Sequence, residues 1–248
     1  MPPLTIQKSV GLNGVNRPSE VLAVKAHLIE LGFDWLTADE VMGPTTVKTI
    51  KLFQAIKNGR NIINFSGNDG RIDPGGDTLK WLNAENAPRW LQLPAGSTDE
   101  GWINDELTDT SDAHDFGTNW LADTLAAAGA AYKESHLGTN PNAARLTIND
   151  ISLPTGGDTP MHATHEAGLC CDVRLPRKNG TVGGITVTSS SYDRKAMRAM
   201  IIAFRAQKLA SRVLLSDQVL VAEGLCMAAQ GHLNHAHFEI KPPARIPA

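Results

Sequence analysis

Five of the chain's eight histidines fall in two short stretches, His162-Ala-Thr-His165-Glu-Ala-Gly168-Leu-Cys-Cys-Asp172 and His232-Leu-Asn-His235-Ala-His237. A catalytic zinc needs three protein ligands, commonly imidazole or carboxylate, and one open position for water. The first stretch offers His165 and Asp172, and the second offers up to three more histidines. That is enough for a metal and for a base beside it. The zinc-helix patterns HExxH and HxxEH are absent, because Glu166 follows His165 instead of lying between His162 and His165. His27, His114 and His136 stand apart from these stretches and read as structural histidines.

The spacing has a physical reading. Leu169, Cys171, Val173 and Leu175 alternate with Cys170, Asp172 and Arg174, which predicts a half-buried strand with Asp172 on its polar face. Gly168 lets the backbone turn, so that a residue upstream can meet one on that strand. His235 and His237 are separated by Ala236 and followed by Phe238, so a strand there points both imidazoles one way and the apolar side chains into a core. Two such strands facing each other would gather His165, Asp172 and His237, with His235 alongside. Cys171 reads as a core residue. Cys170 shares the face of Asp172 and reads as a neighbour of the metal more than as a ligand, and a disulfide from Cys226 to either cysteine stays open. Asp150 reads either as a carboxylate that orients a ligand imidazole or as an ordinary loop residue.

The stretch Asn149-Asp-Ile-Ser-Leu-Pro-Thr-Gly-Gly157, the pattern His162-x-x-His165-x-x-Gly168-x-x-x-Asp172 and the pattern His232-x-x-His235-x-His237 together resemble the penicillin-insensitive murein endopeptidases. These belong to a wider group of zinc peptidases that includes lysostaphin-type enzymes and D-Ala-D-Ala carboxypeptidases. The resemblance covers most of residues 110–240. It implies that His165, Asp172 and His237 hold Zn²⁺, with His162 near the metal but not ligating it. It places His235 beside the metal's water and His232 at the flank; general acid–base chemistry there makes His235 the expected base, with His232 stabilising an oxyanion. The implied activity is hydrolysis of stem-peptide cross-links at the D-Ala to diaminopimelate bond. A carboxypeptidase trimming terminal D-Ala is the alternative, and a non-catalytic wall-binding protein with a structural metal is another. Asn234 stands where the carboxypeptidase branch carries a glutamate, which favours the branch relying on His235. Cys170 replaces an acidic residue usual in the family, and Arg174 adds a positive charge near the site.

The elements that must position these residues follow from periodicity. Val21, Val24, Leu28 and Leu31 recur at helical spacing between a predicted cap at Ser19 and Gly32. A second helix starts at Gly43-Pro44-Thr45 and aligns Val47, Ile50, Phe53 and Ile56, and a third follows Asp77 and buries Leu79 and Leu82. Residues 8–84 resemble the peptidoglycan-binding modules of wall hydrolases, through Gly14-Val-Asn-Arg-Pro-Ser-Glu-Val21, Met42-Gly-Pro-Thr-Thr-Val-Lys-Thr-Ile-Lys-Leu-Phe-Gln54 and Asp69-Gly-Arg-Ile-Asp-Pro-Gly-Gly-Asp-Thr-Leu79. Further helices are predicted over 117–132 and 193–207, and a strand over 212–221. The expected architecture is α+β: a small antiparallel sheet with flanking helices over residues 106–248, a three-helix peptidoglycan-binding bundle over 1–84, and a linker over 85–105.

Bulk properties set outer limits. At 248 residues with net charge −3, the chain can bury a sizeable core and has no basic footprint for nucleic acid. No apolar run is long enough to insert in a membrane, and the expected partner is peptidoglycan. The start lacks the charged and apolar regions of a signal peptide. Action in the periplasm or at the cell wall would then require phage release, injection into a rival cell, or a trimmed chain. An injected effector would also meet a secretion system or an immunity protein of unknown identity.

Overall fold

The computed structural model describes residues 3–109, 112–159 and 162–248. Strand β1 (Val10–Gly11) precedes helix α1 (Pro18–Glu30), whose Val21, Val24 and Leu28 are fully buried. The helix starts one residue before the cap predicted at Ser19. Pro18 opens it, because a fixed φ and a missing N–H suit the first turn, and Arg17 makes no side-chain cap bond. Helix α2 (Pro44–Lys57) also starts at a proline and buries Ile50, Phe53 and Ile56. Thr46, Thr49 and Gln54 are buried with them, whereas Val47 is only half-buried. Strand β2 (Arg71–Ile72) and the six-residue helix α3 (Asp77–Leu82) follow.

A three-helix bundle is not evident in this half. The third helix is too short to span the other two, and an antiparallel ribbon of β1 and β2 stands beside them, with Val10 opposite Ile72. Gly11 allows that pairing: at φ 120°, a Cβ there would lie 2.2 Å from Gly70 O.

Strands β3 (Trp90–Gln92), β4 (Gly96–Ser97) and β5 (Trp102–Asn104) lie in the range read as a linker. Next come β6 (Phe116–Thr118), α4 (Asn119–Tyr132) and β7 (Leu146–Ile148), then β8 (Cys170–Arg174), α5 (Arg194–Arg205) and β9 (Ala210–Leu214). The last elements are α6 (Gln218–Ala222) and β10 (His235–Ile240). The strand expected over 212–221 ends at Leu214. Asp217 then accepts a hydrogen bond from Val219 N and turns the chain into α6.

The fold is mixed α/β, and its main sheet is larger than expected. Six strands run in the order β4-β5-β7-β8-β10-β9. The β5–β7 pair is parallel and the other pairs are antiparallel. The parallel pair arises because α4 lies in the connection between its strands, which is the crossover that parallel neighbours need. Strands β3 and β6 form a separate two-stranded sheet. Helix α5 backs the main sheet with Met197, Met200, Ile201 and Phe204 fully buried, and Phe204 stacks on Phe238 at 4.4 Å.

The buried apolar residues of both halves form one connected core. Trp90 joins it by stacking on Phe33, while its Nε1 donates to Pro154 O at 2.8 Å. Trp81 of α3 meets Trp120 of α4 edge-on. Among the described residues, no helix is long and apolar enough to cross a membrane.

Candidate metal centre

Strands β8 and β10 are neighbours, and their register sets His237 opposite Asp172 and His235 opposite Arg174. Alternation sends Cys171, Val173, Ala236 and Phe238 into the core, each with no exposure. Cys170, Asp172, His235, His237 and Glu239 are left on the other face. His165 reaches them from a loop, with its backbone in the left-handed region at φ 74°. A non-glycine residue held there stores strain of about 1–3 kcal/mol, which surrounding bonds must offset. Ser152 supplies two of them, donating from Oγ to His165 O at 2.5 Å and accepting from Gly168 N at 2.9 Å. Gly168 makes the turn at φ 61°, and a Cβ there would sit 2.5 Å from Gly117 Cα.

His165 donates from Nδ1 to Ile151 O at 2.8 Å, which turns its Nε2 lone pair toward the cluster. That Nε2 lies 2.9 Å from His237 Nδ1 and 3.3 Å from Asp172 Oδ1, and His237 Nδ1 is 2.9 Å from Asp172 Oδ1. Ligands about 2.0–2.2 Å from a tetrahedral ion stand roughly 3.3–3.6 Å from one another. The triangle therefore needs to open by only a few tenths of an ångström. All three residues are buried.

The surroundings of the triangle favour one positive charge. Burial keeps His165 below the usual histidine range, hence neutral. Burial opposes the charge of Asp172, but His165 and His237 outweigh it and hold that carboxyl well below the usual range. Burial likewise opposes charge on His237, yet Cys170, Asp172 and Glu239 around it push it up to about 12. In the metal-free protein a proton thus occupies the place of a cation.

Two further residues offer donor atoms beside the triangle, Cys170 and His162. His165, Cys170 and His237 form one group of donors within 4.8 Å of one another, and His162, His165 and Asp172 form another. Buried His165, Cys170, Asp172 and His237 could together hold a metal ion. His162 Nδ1 stays 3.9 Å from Asp172 Oδ2, while its Nε2 is 2.9 Å from Asp150 Oδ2. Asp150 therefore orients His162, and the three expected ligands find their hydrogen-bond partners elsewhere.

Glu239 was not singled out from sequence. Its Oε1 accepts from His237 Nε2 at 3.2 Å, and Arg212 donates to its two oxygens at 3.0 and 2.5 Å. A carboxylate behind a ligand imidazole fixes its tautomer and raises its basicity. The signal was the continued alternation of His235, His237 and Glu239 along one strand face.

The two expected catalytic histidines lie at the rim. His235 Nε2 is 3.4 Å from Asp172 Oδ2, and its Nδ1 donates to Asn234 Oδ1 at 2.9 Å. Burial lowers its pKa, so it is held neutral with its Nε2 lone pair free. The ring of His232 lies 4.8 Å from that of His235 and 5.7 Å from that of His237, with Nδ1 bonded to Gln230 O at 2.9 Å. Arg174 is paired with Asp105 at 2.7 Å. All three cysteines are free thiols.

No protein-family model matches this chain, and no curated protein matches it. The chemistry of the site thus stands on its own donors: two imidazoles and a carboxylate converging, a thiol within reach, and one neutral histidine at the edge.

The other histidines divide. His27 bonds Leu82 O at 2.8 Å, and His136 stacks on Tyr132, as structural residues do. His114 departs from that expectation. Its Nδ1 lies 3.0 Å from Asp112 Oδ1, its ring is 5.8 Å from that of His162, and it belongs to a group with Glu106, Asp112 and Asp150.

Proposed function

We propose that the protein is a zinc-dependent peptidoglycan hydrolase that cleaves stem-peptide cross-links, with His165, Asp172 and His237 as the zinc ligands. The observation that carries this reading is the triangle of His165 Nε2, His237 Nδ1 and Asp172 Oδ1, with sides of 2.9–3.3 Å and a neutral His235 at its edge. Imidazole and ionised carboxylate are donors that zinc takes, with His237 giving up its Nδ1 proton to the incoming cation, and Glu239 orients His237 as a metal site requires. Bound there, zinc would polarise the scissile carbonyl and bring a water's pKa to about 7.

The chain's own residues supply the proton traffic. His235 takes the water's proton at Nε2 and passes it to the leaving amine, while Asn234 holds its Nδ1–H. His232, at the flank, would stabilise the developing oxyanion, a role commonly worth ~3 kcal/mol. The substrate class follows from the resemblance to the murein endopeptidases. A groove between α2 and the loop before Glu166 supports it, lined by Asn16, Lys48, Lys51, Asn64 and Asp158. Its lysines suit the carboxylates of stem peptides.

One observation favours a second reading. Cys170 within donor range would close the site with four protein ligands, the pattern of structural zinc.

Both readings meet in one experiment: digestion of cross-linked peptidoglycan by the wild type and Cys170→Ser, with and without chelator, followed by chromatography of the muropeptides. Dimers converted to monomers by both proteins, lost with chelator and restored by zinc, is the expected result. Free D-Ala with intact dimers would move the assignment to a carboxypeptidase. Wall binding without products, together with loss of zinc from Cys170→Ser, would establish the structural site.

A further inference from the structure

About one histidine ring away from the proposed zinc ligands lies a second cluster that the hydrolytic chemistry does not use. Glu106 opens a short turn, Glu106–Thr108, just after β5. Asp112 and His114 precede β6, and Asp150 lies between β7 and β8. Backbone bonds lock these segments together: Asp105 N donates to Ile148 O at 3.0 Å, Ile151 N to His114 O at 2.6 Å, and Asp172 N to Asp150 O at 2.9 Å. One donor atom from each of Glu106, Asp112, His114 and Asp150 falls within 4.8 Å of all the others.

The unsatisfied group here is Glu106. Its residue is 2% exposed, and no N–H or O–H among the described residues donates to either carboxylate oxygen. A buried carboxylate left without donors costs several kcal/mol, so such groups are normally paired or bound to a metal. No Lys or Arg among the described residues forms an ion pair with Glu106, Asp112 or Asp150. His114, the basic member of the group, is 4% exposed, and its Nε2 also lacks a partner among the described residues. Three acids and an imidazole converge, and among the described residues no donor reaches Glu106 once it is ionised; only as the protonated acid does it bond to Asp112.

We propose that Glu106, Asp112, His114 and Asp150 form a second divalent-cation site, separate from the His165–Asp172–His237 triangle. Three carboxylates with one imidazole suit a first-row ion such as Mn²⁺ or Zn²⁺, whereas Ca²⁺ and Mg²⁺ prefer oxygen donors throughout. Donors on opposite sides of such an ion stand roughly 4.2–4.4 Å apart. The cluster thus has to contract by at most about half an ångström. Asp150 would then link the two sites, because its Oδ2 also accepts from His162 Nε2 at 2.9 Å.

The test is metal counting on the full chain, independent of any hydrolytic activity. Metal-free protein is given one equivalent of Zn²⁺ and then titrated with Mn²⁺, with free Mn²⁺ followed by electron paramagnetic resonance and total metal by mass spectrometry. The wild type is expected to bind one further equivalent. Glu106→Gln and Asp112→Asn are each expected to lose that equivalent while keeping the first, with circular dichroism confirming the fold. A wild type saturating at one cation in total, with Mn²⁺ or with excess Zn²⁺, would overturn the proposal. So would a second equivalent retained by both variants. Because the wild-type count alone can reject the site, a variant that fails to fold leaves the test intact. Loss of the first equivalent with retention of the second would instead refute the zinc ligands proposed above.

Discussion

Glu239 touches neither substrate nor the metal position, yet its bond to His237 Nε2 decides which imidazole nitrogen faces Asp172. Glu239→Gln keeps the shape and removes the charge, so the folded protein should bind zinc about 10–100-fold more weakly in competition with a chelator. Unchanged affinity would show that Arg212, which holds Glu239, sets the geometry without it. The ligands and the base should separate by a different readout. Asp172→Ala and His237→Ala remove donors and should lose zinc itself. His235→Ala should retain a full equivalent of zinc while turnover falls by roughly 10²–10⁴, the usual range for a general base. Full activity in His235→Ala would reassign the proton transfer.

At the scale of elements, the two strands that build the centre were legible because each has one apolar and one polar face. Cys171 and Val173 against Cys170 and Asp172, and Ala236 and Phe238 against His235 and His237, leave a period of two that few other structures produce. Strands β3, β4 and β5 carry two or three residues each, too few for any period, and so they passed for a linker. Val213, Leu215, Leu220 and Val221 give residues 212–221 the apolar content of one strand, and only the cap at Asp217 divides it. His114 was not legible as part of a cluster, since its partners come from loops on either side of α4. The turn that delivers His165 is the element most open to test. Gly168→Ala places a Cβ against Gly117 at φ 61°, which should cost more than about 1 kcal/mol. Thermal unfolding should shift down, and zinc affinity should fall with it because His165 moves. A variant as stable and as tight as the wild type would show that the loop accommodates a side chain.

Across the whole molecule, the N-terminal half is tied to the centre one residue from a proposed ligand. Glu166 accepts from Ile63 N at 2.7 Å, and its own N donates to Asn61 O at 3.2 Å. The loop carrying His165 is thereby fixed to residues 61–63 by two bonds. The overall stability should also report the acidic cluster, through its dependence on pH. Burial, then Asp112 and the other nearby acids, push Glu106 up to about 9 from an ordinary value of 4.5. Between those values the folded protein keeps a proton that the unfolded chain has released. Stability therefore declines as pH rises through that window and levels off above about 9. His237, held charged in the metal-free protein, adds a slope of the same sign above its ordinary 6.5. Replacing Glu106 with Gln isolates the first contribution, because the amide does not titrate. In chelator, the wild-type melting temperature should fall more steeply with rising pH than that of Glu106→Gln. Added Mn²⁺ should reverse the wild-type trend, since the cation takes the place of the proton on an ionised Glu106. Parallel melting curves for the two proteins across that range would mean that Glu106 is ionised in the folded state, with some compensating charge beside it.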